Sequence, residues 1–232
     1  MSDRAAMSIL EHLSELRDRL LKAIIALAVG VVAGTFLTPR VLKFLVAPLG
    51  DQVPIAIAPT ETPAVYFKVS LVIGLVIGMP VIVYQLFRFV APGLEPHEKR
   101  YLLIGAPVAA VSFAAGVAFA ALVLVPAAMP FLRGFLADIV EQRYSINRYV
   151  SFVSTVMLWA GLVFETPLVM FFLAKLGVAT PSGFAKARRF VVIGAAAGAA
   201  VITPTTDPIN MLLIMGPFLL LYEFGILMAR LA

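Results

Sequence analysis

The sequence predicts an all-α membrane protein that crosses the bilayer with six helices. Of its 232 residues, 62% are hydrophobic and only 13% are charged, whereas a soluble domain carries about 45–50% apolar and about 25% charged residues. The mean hydropathy is +1.01. The few charged residues also separate the chain into apolar stretches close to the length of about 20 residues that a transmembrane helix needs. These three observations exclude a soluble globular fold.

The six spans follow from the positions of these charged residues. An amphipathic cytoplasmic segment at 8–20 precedes the first span, and the predicted spans are about 21–39, 67–89, 102–126, 151–174, 190–202 and 209–229. No repeat or linker divides them, so residues 1–232 are interpreted as one integral membrane domain. The fifth span holds 13 residues and reaches only about 20 Å, against a hydrocarbon core of about 30 Å. We therefore expect spans five and six to be short.

The distribution of basic residues predicts the orientation. An even number of spans places both ends of the chain on one side of the membrane. If that side is the cytoplasm, 12 of the 18 Lys and Arg residues lie in cytoplasmic segments. Cytoplasmic loops carry an excess of Lys and Arg, so the sequence predicts that both termini lie in the cytoplasm. The basic net charge has this origin and does not indicate nucleic-acid binding.

Several classes of site are missing from the sequence. There is no cysteine, and His12 and His97 are far apart, so neither a disulfide nor a metal site is expected. No P-loop, GxSxG or HExxH pattern is present, and no other reactive pair lies at membrane depth. We expect no cofactor and no catalytic residue. The acidic residues near the start also argue against a cleavable signal peptide.

The stretch HLSELRDRL, residues 12–20, places an acidic residue among arginines next to the first span. At 100° per residue, five apolar residues of the amphipathic segment 8–20 fall within an arc of about 120°, and Glu15 projects almost opposite to it. They are Ile9, Leu10, Leu13, Leu16 and Leu20. We therefore expect the apolar stripe to lie on the membrane surface or on neighbouring helices, with Glu15 facing the open cytoplasmic side. The simpler interpretation is a Glu15–Arg19 pair across one helical turn, worth about 0.3–0.5 kcal/mol.

A second carboxylate, Glu98, lies in the first cytoplasmic loop, FVAPGLEPHEKRY. Pro96 is suited to open the third helix, which places Glu98 in its first turn, where the helix dipole favours a negative charge. This interaction with the helix dipole is sufficient by itself to explain why an acidic residue stands at position 98. The loop nevertheless brings Glu98 to the same membrane face as Glu15, and two carboxylates there can each take a guanidinium fork.

Glu165 is the one charge inside the fourth span. A charge near mid-membrane costs about 2.5–3.5 kcal/mol on insertion scales, and such residues are functional by default. The competing interpretation is a neutral, hydrogen-bonded glutamic acid that only ties helices together. Pro167 follows two residues later and is expected to kink the helix and free carbonyl groups near the carboxyl.

Three further features lie near the membrane faces. Asp207 precedes Pro208 and fits either a helix cap or a functional position. Glu223 lies seven residues before Arg230, just inside the cytoplasmic interface, and is interpreted as mostly structural. In the second outer loop, the apolar residues between Phe131 and Ile139 have helical spacing and predict a short helix on the outer surface.

Ordered motifs along nearly the whole chain resemble those of the TatC family, the multispanning subunits of twin-arginine (Tat) protein translocases. The resemblance rests on HLSELRDRL, VAPL, PVIVYQLFRFVAPGLEPHEKR, SFV, FETPL, TPSGFAKARRF and TPTTDP. Each motif alone is weak, but their order and spacing together are highly specific. The resemblance implies a concave, glove-shaped bundle of six helices in the cytoplasmic (inner) membrane. It also implies a receptor for twin-arginine signal peptides that exports folded proteins with the protonmotive force.

The resemblance also assigns roles to individual residues. The residues implied in the signal-peptide site or its support are Glu15, Glu98, Arg17, Arg19, Phe89 and Gln85. Glu165 matches the family's buried glutamate on the concave side, and Pro48 matches an outer-loop position at which substitution impairs transport. Asp207 and Glu223 fall near the spans that contact partners. Met211 stands, next to Asn210, where the family often has a glutamine.

The partners implied by the resemblance are substrates with twin-arginine signal peptides, single-span subunits of the TatA and TatB type, and further TatC copies. The alternative is a secondary transporter for small solutes or ions that uses Glu165, since such proteins also contain intramembrane carboxylates and short spans. A transporter of that kind is expected to show a two-fold repeat, and the hydropathy shows none. A membrane enzyme needs a reacting constellation at one depth, and the sequence offers none.

Overall fold

The computed structural model describes residues 9–50, 52–90, 99–140, 142–202 and 208–232. This part of the chain forms a bundle of α-helices. They are α1 (Ile9–Val46), α2 (Glu61–Val90), α3 (Lys99–Phe119), α4 (Val125–Gly134), α5 (Ile146–Phe164), α6 (Thr166–Lys175), α7 (Pro181–Ile202) and α8 (Pro208–Arg230). A 3-10 turn, Ala47–Leu49, follows α1, and a π-helical turn, Ala120–Leu124, joins α3 to α4.

The six-span architecture predicted from the sequence is confirmed. Five stretches of the described chain are long and apolar enough to cross a membrane: Glu11–Leu49, Glu61–Phe89, Gly105–Gly134, Ile146–Lys175 and Met211–Arg230. The apolar second half of α7, which lies before the last of these stretches, supplies the remaining span, the fifth in chain order. The last of the five stretches has 20 residues, against 29 to 39 in the others. Spans five and six are therefore the short ones, as expected.

Helices α1 and α2 form an antiparallel hairpin whose backbones touch at glycines. A Cβ atom on Gly30 would lie 2.3 Å from the carbonyl oxygen of Gly74, and a Cβ on Gly74 would lie 2.5 Å from the backbone nitrogen of Val31. Closer to the outer end of the hairpin, the buried hydroxyls of Thr38 and Ser70 lie 2.7 Å apart. Small residues allow this approach, as is usual between membrane helices. The glycines thus fix how α1 is rotated against α2.

The main core lies among α2, α3, α5 and the turns at the outer end. Its fully buried side chains include Val69, Phe113, Val150 and Leu49. Helices α3 and α5 also meet through small residues, because a Cβ on Gly116 would lie 2.5 Å from the carbonyl oxygen of Ala160. This tight core holds the first four spans together.

The predicted kink in the fourth span is present. Helix α5 ends at Phe164, and α6 begins at Thr166, with Glu165 between them. The backbone N–H of Glu165 donates to the carbonyl oxygen of Leu162 at 3.1 Å. Pro167 lies in the first turn of α6 and is buried. Because proline lacks an N–H and clashes with the preceding turn, it interrupts the helix there.

The predicted outer-surface helix between Phe131 and Ile139 is wrong. The third span continues through the π-helical turn into α4, which ends at Gly134. Leu136 then adopts a left-handed backbone conformation with φ of 56°, which a helix does not allow. The apolar residues of Phe131–Ile139 therefore lie partly at the end of α4 and partly in the turn that follows it.

The outer loops are joined to each other by backbone hydrogen bonds. The N–H of Ile55 donates to the carbonyl of Tyr144 at 2.9 Å, and the N–H of Ile146 donates to the carbonyl of Ile55 at 2.9 Å. The hydroxyl of Ser145 also donates to the carboxylate of Glu61 at 3.1 Å. The outer end of the bundle is thus closed by bonds between loops that are about 90 residues apart.

Helices α7 and α8 form the open side of the bundle. Helix α8 packs on α6 and α7, and α7 has few contacts with α5. An apolar groove of about 250 Å³ lies among α5, α7 and α8. Its lining includes Trp159, Phe164, Ala195, Ile214 and Phe218. This groove gives the bundle its concave side.

Candidate functional site

A polar cluster lies where the N-terminal half of α1 passes the C-terminal end of α2, at the face that the charge distribution assigns to the cytoplasm. We call it the cytoplasmic cluster, and its members are His12, Glu15, Arg19, Gln85 and Phe89. The Nε and Nη2 atoms of Arg19 donate to Oε1 of Glu15 at 3.3 and 2.9 Å. Nη1 of Arg19 points to Oε1 of Gln85 at 3.4 Å. Four of these five residues, Glu15, Arg19, Gln85 and Phe89, are among the six that the family resemblance implies for the signal-peptide site or its support.

The expected orientation of Glu15 is wrong. Its side chain is only 17% exposed and faces α2, whereas Leu13, Leu16 and Leu20 are 55%, 42% and 56% exposed. The reason is that α1 runs unbroken from Ile9 to Val46, so the close packing at Gly30 and Gly74 sets its rotation. The exposed leucines continue the outward-facing apolar surface of the first span instead of lying against a neighbouring helix.

The simpler interpretation of Glu15, a pair with Arg19 across one turn, is confirmed as a contact. The pair is sheltered, since its side chains are 17% and 19% exposed. The two carboxylate oxygens differ, because Oε1 receives both guanidinium bonds while Oε2 is buried without a partner among the described residues. A buried acceptor without a donor is costly. The cluster therefore has an unused position for one more hydrogen-bond donor.

His12 is a member of the cluster that the sequence analysis missed. Its imidazole stacks on the ring of Phe89, with centroids 4.5 Å apart and an interplanar angle of 24°. His12 lies three residues before Glu15, so the two share a helix face. The spacing of His12 and Glu15 can be read from the sequence, but the contact of His12 with Phe89 on α2 cannot.

Arg17 lies apart from the cluster, and the position of Glu98 is not among those described. Arg17 is 71% exposed and pairs with Asp18 at 2.9 Å on the other side of α1. Glu98 lies outside the described residues and directly precedes Lys99, the first residue of α3. The role assigned to each by the family resemblance stays a prediction.

Glu165 lies at the break between α5 and α6 and is half-buried. Its Oε1 atom is buried and has no hydrogen-bond partner among the described residues. The competing interpretation of Glu165 as a hydrogen-bonded tie between helices receives no support from this oxygen. The carboxyl lies where the helix is interrupted between α5 and α6.

Glu223 forms a contact that the sequence did not reveal. Nε and Nη2 of Arg188 on α7 donate to its two carboxylate oxygens at 2.6 Å each. The hydrogen bonds and the negative charge of Glu223 raise the pKa of the Arg188 guanidinium above its ordinary value. The pair is about half exposed and joins the cytoplasmic ends of the two short spans, which supports the structural interpretation of Glu223.

Of the remaining predicted positions, Pro48 and Met211 lie apart from the cytoplasmic cluster. Pro48 is half-buried in the 3-10 turn at the outer end, between the hairpin and α4. Met211 is half-buried in the first turn of α8. Asp207 lies outside the described residues, although α8 does begin at Pro208 as predicted.

Lys68 is a half-buried cation whose contacts the sequence did not reveal. Its Nζ donates to Oδ1 of Asn147 at 3.1 Å and to the hydroxyl of Ser151 at 2.5 Å. These bonds tie α2 to α5 near the outer end. Within the described residues, no group of three or more His, Cys, Asp or Glu side chains is arranged to hold a metal ion.

The fold and the cytoplasmic cluster define a multi-pass helical membrane protein with a carboxylate site at one membrane face. The family model for the Sec-independent protein translocase protein (TatC) matches residues 11–217. The chain therefore belongs to the TatC family. This assignment favours the translocase interpretation over the solute-transporter alternative.

Individual relatives agree with the family model. The chain is 38% identical to the Sec-independent protein translocase protein TatC of Synechocystis sp. over 231 residues, which covers 99% of this chain and 90% of that protein. It is 36% identical to the TatC protein of Aquifex aeolicus, with 97% and 96% of the two chains covered. A crystal structure of a twin-arginine translocase receptor, TatC, superposes with a TM-score of 0.84 at 35% identity, covering 95% of this chain and 99% of the other.

Proposed function

We propose that this protein is the twin-arginine signal-peptide receptor and core subunit of a Tat translocase. It exports folded proteins across the cytoplasmic membrane with the protonmotive force. The supporting comparisons are full-length relatives named as Sec-independent translocase proteins and a similar structure described as a twin-arginine translocase receptor. The protein acts by binding and assembly, and no catalytic role is proposed for it.

The observation that carries the proposal is the state of Glu15. It is a sheltered carboxylate at the cytoplasmic face with one oxygen, Oε2, that lacks a donor among the described residues. Guanidinium groups bind carboxylates with paired hydrogen bonds. Glu98 follows the same end of α2 in the sequence and supplies the second carboxylate in this proposal. Two consecutive arginines of a signal peptide would thus each have an acidic partner.

The other members of the cluster have supporting roles in the proposed site. Gln85 is 9% exposed and lies beside Arg19. Phe89 presents an aromatic ring already stacked on His12, and guanidinium groups also pack on such rings. Arg17, which points to solvent, is proposed to contact the peptide outside the cluster or to support its approach.

The proposed partners bind on the open side of the bundle. Single-span subunits of the TatA and TatB type are proposed to lie along α7 and α8, where Phe190, Ile193, Leu212 and Leu220 are exposed. The apolar groove and the half-buried Met211 lie on the same two helices. Because Met211 carries no amide, a partner helix has no hydrogen bond to gain there. Glu165, at the broken fourth span, is proposed to act in transport and not in signal-peptide binding.

Crosslinking tests the site. A twin-arginine signal peptide that carries a photoreactive group is incubated with the wild-type chain and with the Glu15→Ala and Glu98→Ala variants. Both substitutions should weaken binding, with a loss of at least about tenfold for Glu98→Ala, because each removes a charge-assisted pair of about 1.5–3 kcal/mol. Unchanged crosslinking to both variants would refute the assignment of the receptor site.

A further inference from the structure

The carboxylate of Glu15 already holds a guanidinium that belongs to the protein itself. Arg19 donates two hydrogen bonds to a single oxygen, Oε1, at 3.3 and 2.9 Å. In the ideal fork, the two N–H groups reach two different oxygens. Here the second oxygen, Oε2, stays buried without a donor among the described residues. The pairing with Arg19 therefore uses only one of the two carboxylate oxygens of Glu15.

A second acceptor for Arg19 is within reach. Nη1 of Arg19 lies 3.4 Å from Oε1 of Gln85, at the long end of hydrogen-bond distances. Gln85 is 9% exposed on α2, so its amide oxygen has little competition from water. If Arg19 moved away from Glu15, its guanidinium would shorten this bond and keep a partner. The cluster thus offers Arg19 two positions.

We propose that Arg19 is a specificity-determining residue, an internal substitute that an arginine of the signal peptide displaces from Glu15 while Gln85 retains Arg19. This inference rests on the proposed receptor function. While Arg19 is in place, the Glu15–Arg19 pair has no net charge and attracts cations weakly. A peptide guanidinium can displace it because its fork engages both Oε1 and Oε2. A lysine ammonium is a strongly hydrated point charge and cannot match both oxygens. The internal pair therefore rejects lysine.

The direct test measures the affinity of a fluorescent twin-arginine signal peptide and of its twin-lysine variant for the full-length protein in detergent micelles. The Arg19→Gln variant should bind the twin-arginine peptide about fivefold more tightly, the expected gain when a sheltered competing pair is removed. Its affinity for the twin-lysine peptide should rise more, so the ratio between the two peptides falls. Lys22→Gln is the matched control. It removes the same charge from an exposed position on α1 and should change either affinity less than about twofold.

A double-mutant cycle tests the role of Gln85. Gln85→Met should weaken binding of the twin-arginine peptide in the wild-type background, because Arg19 loses its second acceptor. The same substitution should have no effect in the Arg19→Gln background. If Gln85→Met is equally harmful in both backgrounds, Gln85 contacts the peptide directly and the displacement is wrong.

The outcomes separate this inference from the proposed function. If the wild-type protein binds both peptides equally, the receptor function itself fails. If it prefers the twin-arginine peptide but Arg19→Gln binds that peptide no more tightly, the displacement is overturned. Should Arg19→Gln fail to fold, Arg19→Lys replaces it. That variant keeps the charge but lacks the fork, so the twin-arginine affinity should still rise, and an unchanged or lower affinity contradicts the inference.

Discussion

Replacement of Gly74 by alanine tests whether the hairpin of α1 and α2 positions the cytoplasmic cluster. The added Cβ would lie 2.5 Å from the nitrogen and 2.7 Å from the Cα of Val31. Both are backbone atoms, so no side chain can rotate away and the two helices must separate. Such overpacking costs about 1–3 kcal/mol, and a chain of this size loses about 2–4 °C in Tm per kcal/mol. We expect Tm to fall by about 5 °C.

The assay for Gly74→Ala is thermal unfolding in micelles, followed by circular dichroism and paired with the affinity for a twin-arginine peptide. Affinity should fall as well, because the distance between Arg19 and Gln85 depends on the same helix contact. Gly194→Ala is the matched control, since a Cβ there meets nothing within 4 Å. It should leave Tm unchanged or raise it through the better helix propensity of alanine. Equal Tm and affinity for Gly74→Ala and the wild type would refute the reasoning.

Two further substitutions and one double-mutant cycle have distinct expected outcomes. Glu165→Gln should leave signal-peptide binding intact but reduce transport of folded cargo into inverted vesicles or partner assembly, and normal transport would mean that the carboxylate is only structural. Lys68→Met should lower the free energy of unfolding by about 1–3 kcal/mol, because its two acceptors on α5 lose their donor, and an unchanged denaturant midpoint would contradict this. A double-mutant cycle on Arg188 and Glu223 should give a small coupling that vanishes at high salt, because both side chains are about half exposed. A large, salt-independent coupling would show that the pair is desolvated.

The spans and the break at Glu165 could be predicted because they depend on local rules. A run of apolar residues between charges has one stable placement in a bilayer. Pro167 interrupts a helix whatever surrounds it. The shortness of the fifth span follows from counting residues. These features need no knowledge of neighbouring helices.

The orientation of Glu15 could not be predicted because it depends on α2. Helical periodicity shows that Glu15 and the leucines lie on opposite faces of α1, but not which face meets another helix. In water the apolar face would be buried. Here the chain continues directly into a membrane span, so the apolar face stays outward and the polar face packs inward. The position of Gly30 opposite Gly74 decides the rotation.

The two interpretations of Glu15, an internal pair and a site for a guanidinium ligand, do not exclude each other. The pair with Arg19 exists, and it leaves Oε2 without a donor among the described residues. The residues near Phe131 do have helical spacing, but the helix that contains them, α4, ends at Gly134, where the chain turns.

The most direct test of the central claim is capture by an immobilised twin-arginine signal peptide compared with its twin-lysine variant. The purified full-length protein is applied to both at the same concentration and ionic strength. We expect clear retention on the twin-arginine peptide and little on the twin-lysine peptide, because only a guanidinium engages both oxygens of Glu15. Equal retention on the two peptides would contradict the receptor function.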